Sequence, residues 1–284
     1  MAVELDVGHP IVLRRPEGEE VATTPNRSVL VKADLEQMGV TESWYGSRQN
    51  GAGLHLHRAH ADSFYVLESE LTFLTANGSL HAPTGAALLA PPGVVHGFDH
   101  DADEPGRFLN FHTPDRGFIE SMRARRHPET YEPTRYDSWD PEDDAPTGAI
   151  VIAPDAGDRL EGESRVATIK IAREELALVV FDLEPGFDGP HAHVHRRHVD
   201  SFYVVDGEPE FRVGDETIRG EPGVFVAAPP GAVHSFSNRG PGTARVVNVH
   251  APSCSFDEYL HVMDQATERL DDATHARYDV YEVD

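Results

Sequence analysis

Apolar residues along the 284-residue chain fall in short clusters rather than in long runs of helical period. The clusters are rich in β-branched and aromatic residues and are broken by Gly, Pro and Asn, which is the pattern of a β-sandwich or barrel. In the first half this predicts strands at 28–32, 40–45, 54–57, 64–67, 71–76, 86–90 and 107–112. In the second half it predicts strands at 177–181, 202–205, 210–213, 224–228 and 244–250. Asn77-Gly78 and Gly214-Asp215 are dipeptides of the kind that close hairpins. Each strand series ends in helix-like sequence, at 118–125 and at 256–265.

The two halves are copies of one another. The segment His55-Leu-His57-Arg58-Ala-His60-Ala-Asp62-Ser63-Phe64-Tyr65-Val66-Leu67 recurs from His193 to Val205 with nine of thirteen positions identical. Pro91-Pro92-Gly93-Val-Val-His96 returns as Pro229 to His234, and Asn110-Phe-His112-Thr-Pro114 as Asn248 to Pro252. The offset is 138 residues every time, and Phe118 and Phe256 keep it too. A constant register across separate patches means a duplicated domain. The expected organisation is an N-terminal extension at 1–26, a first barrel at 27–125, an ordered strap at 126–150 across the junction, and a second barrel with its C-terminal helix at 151–284.

Composition narrows the function classes. A net charge of −25 argues against a nucleic-acid partner, because phosphate binding needs a concentrated basic surface. No apolar run approaches the roughly 20 residues of a spanning helix, and Met1 to Asp6 lacks the basic start and apolar stretch of a secretory leader. A cytoplasmic, membrane-free protein is expected, and a homodimer is left open. With Cys254 as its single cysteine, the chain can form neither an internal disulfide nor a thiolate metal cluster.

What the duplication preserves is histidine: ten of the 17 histidines occupy matched positions. In His55-x-His57 the imidazoles are two residues apart, so on a strand they share a face. Asp62 is an odd step beyond His57, and a turn through 58–61 is needed to bring it back on the neighbouring strand. His96 follows a rigid Pro-Pro-Gly turn able to deliver it from another strand. His55, His57 and His96, with Asp62 beside them, form a set suited to Fe, Mn, Ni, Cu, Co or Zn. His193, His195, His234 and Asp200 repeat it, so one divalent transition metal per barrel is expected. Aspartate is a short side chain: Asp62 and Asp200 can fall outside ligand distance and serve instead to hold a water or act as a catalytic base. His60 and His198 are alternative ligands or residues behind the ligands. Arg58 and Arg196 suit either an anionic substrate or a surface ion pair.

The spacing H-x-H-x4-acid, followed by G-x5-P-x-G-x2-H, resembles the two motifs of the cupin superfamily, and the doubling resembles a bicupin. The second motif is complete as Gly85, Pro91, Gly93 and His96, and again as Gly223, Pro229, Gly231 and His234. Three positions depart from the pattern. The acid is Asp rather than Glu, the first motif's last Gly is Gly207 but Ser69 in the first half, and the second motif's closing Asn is Asn238 but His100. The resemblance implies an all-β fold of two tandem antiparallel jelly-roll barrels with short terminal helices. Similarity to quercetin 2,3-dioxygenase-like bicupins implies a metal-dependent oxygenase acting on a small chelating organic substrate. A non-redox metal isomerase or lyase, and a non-catalytic metal or small-molecule binder, are the alternatives.

Overall fold

The computed structural model describes residues 9–141 and 146–283. The expectation about a secretory leader, which concerns residues 1–8, and the expectation for 142–145 of the strap lie outside the described residues. Contacts divide the chain into two compact units. One is Gly18–Ala156, and the other joins the segment ending at Glu17 to the chain from Gly157 onward.

The first strand among the described residues, β1 (Ile11–Leu13), belongs to the second unit. The first unit then runs through β2 (Glu19–Thr24), β3 (Arg27–Leu35), β4 (Met38–Tyr45), β5 (Gln49–His55) and β6 (Ala61–Glu68). It continues through β7 (Glu70–Thr75), β8 (Gly78–Pro83), β9 (Ala87–Ala90), β10 (His96–His100) and β11 (Gly106–Thr113). Helix α1 (Phe118–Ala124), a 3-10 turn at Pro133–Tyr136 and strand β12 (Ile150–Ile152) complete it. Two antiparallel sheets result, in the orders β12-β9-β6-β11-β4-β3-β2 and β5-β10-β7-β8. Phe64 and Phe108 from the first sheet meet Phe73 and Phe98 from the second, so the two inner faces share one core.

The second unit repeats this plan with β13 (Asp158–Glu161), β14 (Arg165–Ala172), β15 (Ala177–Leu183), β16 (His193–Val194) and β17 (Val199–Asp206). Strands β18 (Glu210–Val213), β19 (Glu216–Arg219), β20 (Phe225–Ala228), β21 (His234–Ser237) and β22 (Ala244–Ala251) follow. Helices α2 (Phe256–Gln265) and α3 (Asp272–Arg277) and strand β23 (Tyr281–Glu282) close it. Its sheets are β1-β20-β17-β22-β15-β14-β13 and β19-β18-β21-β16-β23, packed through Phe181, Phe202, Phe211 and Phe236. The architecture is two tandem antiparallel jelly-roll barrels with short helices, as the strand pattern and the resemblance predict.

The strand pattern is incomplete where the sequence gives no apolar alternation. β5 is largely polar and half-exposed, and its ladder to β10 holds it in place. Tyr65 and Tyr203 are buried, yet they alternate with the inward-facing Phe64 and Phe202 and so face the other side of their sheet, away from the barrel interior. Among the described residues no helix is long and apolar enough to cross a membrane.

Candidate metal centres

Each centre is built from the second-motif turn. Gly93 and Gly231 have φ of 82° and 86°, the left-handed region that glycine enters without a Cβ clash. Their N–H groups donate to the carbonyls of His57 and His195 at 2.6 and 2.7 Å, tying the turn to the H-x-H segment. Strand register then places His55 directly opposite His96, and His193 opposite His234. Ring centroids in these pairs are 4.5 and 4.4 Å apart. The turn after His57 carries the chain across to the facing sheet rather than to a neighbouring strand, and there Asp62 lies between Ala90 and His112. Both centres therefore sit between the two sheets of their unit.

The tautomers follow from hydrogen bonding. His55, His57 and His96 each donate Nδ1–H to a main-chain carbonyl, of Gly53 at 2.8 Å, Asp137 at 2.7 Å and Val94 at 2.9 Å. His193, His195 and His234 do the same to His191 at 2.8 Å, Asp279 at 2.8 Å and Ala232 at 3.0 Å. With Nδ1 so engaged, every Nε2 presents a lone pair. In each barrel the three imidazoles and the aspartate bring ligand-type atoms within 4.8 Å of one another.

Asp62 and Asp200 lie beside these sets. Two neighbouring ligands each about 2.1 Å from one ion stand about 3.0–3.4 Å apart. Asp62 Oδ2 is 3.1 Å from His96 Nε2, and Asp200 Oδ2 is 3.1 Å from His234 Nε2. The second carboxylate oxygen is held from behind, accepting from Asn110 Nδ2 and Asn248 Nδ2 at 2.5 Å. A lone pair facing a carboxylate at that range requires a cation or proton between them. His57 Nε2 and His195 Nε2 are moreover buried with no hydrogen-bond partner, a costly state that a metal relieves. The donor set fits a divalent transition metal in both barrels.

Electrostatics keep the donors ready. Burial, and then the neighbouring His96, lowers the pKa of His55 to about 4. Burial and adjacent imidazoles hold His57 and His193 well below the ordinary histidine value. Burial pushes Asp200 upward, but His250, His195 and His234 outweigh it, and the carboxyl ends well below its usual range. Imidazoles that burial keeps neutral present the lone pairs that metal binding requires.

His60 and His198 stand behind the centre. Their rings lie against those of His57 and His195, with centroids 4.1 and 3.9 Å apart, and their Nε2 atoms are 2.8 and 2.9 Å from Nδ1 of His112 and His250. Those two histidines bond in turn to Asn110 Oδ1 and Asn248 Oδ1 at 3.1 and 3.0 Å. They also stack at 3.5 Å on Phe118 and Phe256, the first residues of α1 and α2. Arg58 and Arg196 lie over the rings of Trp139 and Tyr281, at 4.0 and 3.7 Å.

Two further residues complete the support, and sequence reasoning missed both. Asp137 accepts from the N–H of Arg58 and Ala59 at 3.0 and 2.7 Å, while its own carbonyl receives His57 Nδ1–H. Asp279 accepts from the N–H of Arg196 and Arg197 at 3.1 and 2.8 Å and from His198 Nδ1 at 2.9 Å, while its carbonyl receives His195 Nδ1–H. In the first barrel the matching His60 Nδ1 is 2.9 Å from Asp137 Oδ2 but out of line for a hydrogen bond. Both aspartates are left-handed, with φ of 54° and 62°. Although burial opposes it, these donors pull both carboxyls down in pKa. The signal was present: Arg135-Tyr-Asp-Ser-Trp139 returns as Arg277-Tyr-Asp-Val-Tyr281, but at an offset of 142, outside the main register.

The three departures from the motif pattern leave the geometry intact. Ser69 takes a left-handed φ of 62° where Gly207 has 79°. Asn238 Nδ2 bonds to three main-chain carbonyls, of Leu183, Glu184 and Gly242, and His100 spans two, of Glu70 and Glu104, at 2.8 Å each. The barrels differ instead in free space. The cavity beside His193 and Asp200 measures about 210 Å³, against about 60 Å³ beside His55 and Asp62.

Residues 47–112 and 179–250 each match the cupin domain. The chain belongs to the cupin superfamily and is a bicupin, with one such domain in each half. It is similar in fold to the putative glyoxylate induced protein of Pseudomonas aeruginosa, at 14% identity and TM-score 0.63, over 95% of this chain and 93% of that one. It is also similar to AerE of Microcystis aeruginosa, at 13% identity and TM-score 0.58, over 82% and 96% of the two chains. A third relative in shape is the oxalate decarboxylase of Lactobacillus farciminis in its formate complex, at 14% identity and TM-score 0.59, over 85% and 86%. No curated protein sequence matches the chain.

Proposed function

We propose that this bicupin is a metal-dependent oxygenase acting on a small chelating organic substrate, with the second barrel as the working site. The observation that carries the metal reading is the convergence of three Nε2 lone pairs beside an ionised carboxylate, with His195 Nε2 left unsatisfied at the centre. His193, His195 and His234 are the proposed ligands there, as are His55, His57 and His96 in the first barrel. Oxygenase chemistry rests on the resemblance to quercetin 2,3-dioxygenase-like bicupins. A redox-active divalent ion would supply neighbouring coordination positions for a substrate oxygen and for dioxygen.

The protein's own part is positioning and exclusion of water. Phe181, Phe187, Phe236 and Phe256 give the second cavity an apolar wall. Asn248 holds Asp200 Oδ1 and turns Oδ2 toward the histidines, where it can complete the ion's shell or receive the proton of an enol or phenol. Elemental analysis of purified protein, then oxygen uptake with chelating phenols and enols, tests the proposal. Iron, manganese, copper, nickel or cobalt with oxygen consumption supports it. Zinc without uptake moves the same site to isomerase or lyase chemistry, and metal-free protein refutes both enzyme readings.

A further inference from the structure

The larger cavity contains a cation with no counterion. Arg165, the first residue of β14, lines the same cavity as His193 and Asp200. Its Nη1 is buried and has no hydrogen-bond partner, and among the described residues Arg165 forms no ion pair. The other charged groups nearby do not neutralise it: Asp200 is engaged by Asn248 and His234, the Glu282 carboxylate is paired with Arg269, and Asp264 acts on Arg165 only through space. A half-buried guanidinium short of a partner in a largely apolar cavity is poised for an anion, because a buried unpaired charge is costly until it is matched. Its planar fork suits a carboxylate in particular.

The first barrel provides an internal control. Arg27 occupies the matched position, 138 residues earlier, and it too has a buried nitrogen without a partner, Nε. There the guanidinium lies over Tyr45, 4.8 Å from the ring centroid, and Tyr45 is its direct partner across the ladder. The residue opposite Arg165 is Leu183. Barrel two therefore lacks the aromatic partner and has more than three times the free volume.

We infer that the second cavity takes a small organic carboxylate whose carboxyl group meets Arg165, whose apolar body lies among Phe181, Phe187 and Phe236, and whose far end carries an oxygen facing His193 and Asp200. A volume of about 210 Å³ holds on the order of ten non-hydrogen atoms, the size of a one-ring acid. The orientation rests on the metal reading above; the preference for a carboxylate does not.

The test is calorimetric titration of the full chain with 4-hydroxybenzoate and with its neutral isostere 4-hydroxybenzamide, each on metal-loaded and on metal-stripped protein. The acid should bind about ten- to a hundredfold more tightly than the amide, the range of a charge-assisted hydrogen bond. Arg165→Met keeps the apolar stem and should erase the difference, while Arg165→Lys should retain part of it. Thermal unfolding of each variant checks that the barrel is intact. Equal affinities in the unsubstituted protein, no saturable binding of either compound at millimolar concentration, or a preference that survives Arg165→Met would each overturn the inference. A carboxylate preference that persists after stripping supports Arg165 even if the metal reading fails. Retained metal with equal affinities rejects Arg165 alone.

Discussion

Replacing Asp279 by alanine isolates the support of one metal centre from its ligands. Its side chain is wholly buried, and Oδ2 accepts from two main-chain N–H groups and from His198. Each buried donor left without a partner costs about 1–3 kcal/mol, and alanine in a left-handed conformation adds about 1–2 kcal/mol. Partial relaxation and entering water reduce the total, so a loss of about 3–5 kcal/mol is expected. In a unit of this size that lowers the midpoint of thermal unfolding by roughly 10–15 °C. The carbonyl that orients His195 belongs to the same residue, so metal affinity at the second centre should fall about 10- to 100-fold. Asp279→Asn keeps an acceptor oxygen and tolerates the left-handed backbone, so it should recover much of both. Calorimetry of metal-free protein and metal content after chelator dialysis read the two effects separately. An alanine variant with an unchanged midpoint and two resistant metals per chain would refute the role assigned to Asp279.

Other expectations follow from the same geometry. His195→Ala should reduce bound metal from two ions per chain to one, as should His57→Ala, and the double variant should hold none; elemental analysis decides. Asn248→Ala leaves Asp200 Oδ1 without its 2.5 Å donor, and should cost about 1–3 kcal/mol and weaken the second centre without emptying the first. Metal-free protein should lose stability in mild acid. His55 and His198 both have pKa values lowered to about 4 from 6.5, by burial first. Between those values the unfolded chain binds the extra protons, so stability is full above about 6.5 and declines as pH falls to about 4. Urea midpoints that stay flat from pH 7 to pH 4.5 would contradict this.

The metal-type residues were legible because they lie in short motifs held at a single offset, and because H-x-H on a strand puts two rings on one face. The reach of Asp62 was not. Counting methylenes says nothing of its position, which depends on the facing strand and on Asn110, which fixes the carboxylate from behind. Asp137 and Asp279 escaped notice because their repeat runs at 142 rather than 138 and carries no histidine. Arg27 and Arg165 are in the main register, but an arginine at the start of a strand has no local mark of function. Only the cavity and the missing partner distinguish it. The edge strands Ile11–Leu13 and Ile150–Ile152 are three residues long, too short for any period to register.

Those two edge strands give the halves different histories during synthesis. Ile150 pairs with Leu89, so the first barrel can close around a strand made only some sixty residues later. Ile11 pairs with Ala227, across more than two hundred residues of intervening chain. The longer closure costs about 1 kcal/mol more in chain entropy, and its larger effect is on timing. Until Ile11–Leu13 is recaptured, the ribosome releases a second barrel whose Phe225–Ala228 strand shows an unpaired apolar edge, the kind of edge that seeks another chain. A bulky tag or a truncation at the N-terminus would accordingly be felt at the opposite end of the sequence, as slow maturation and aggregation of the barrel that holds the larger cavity.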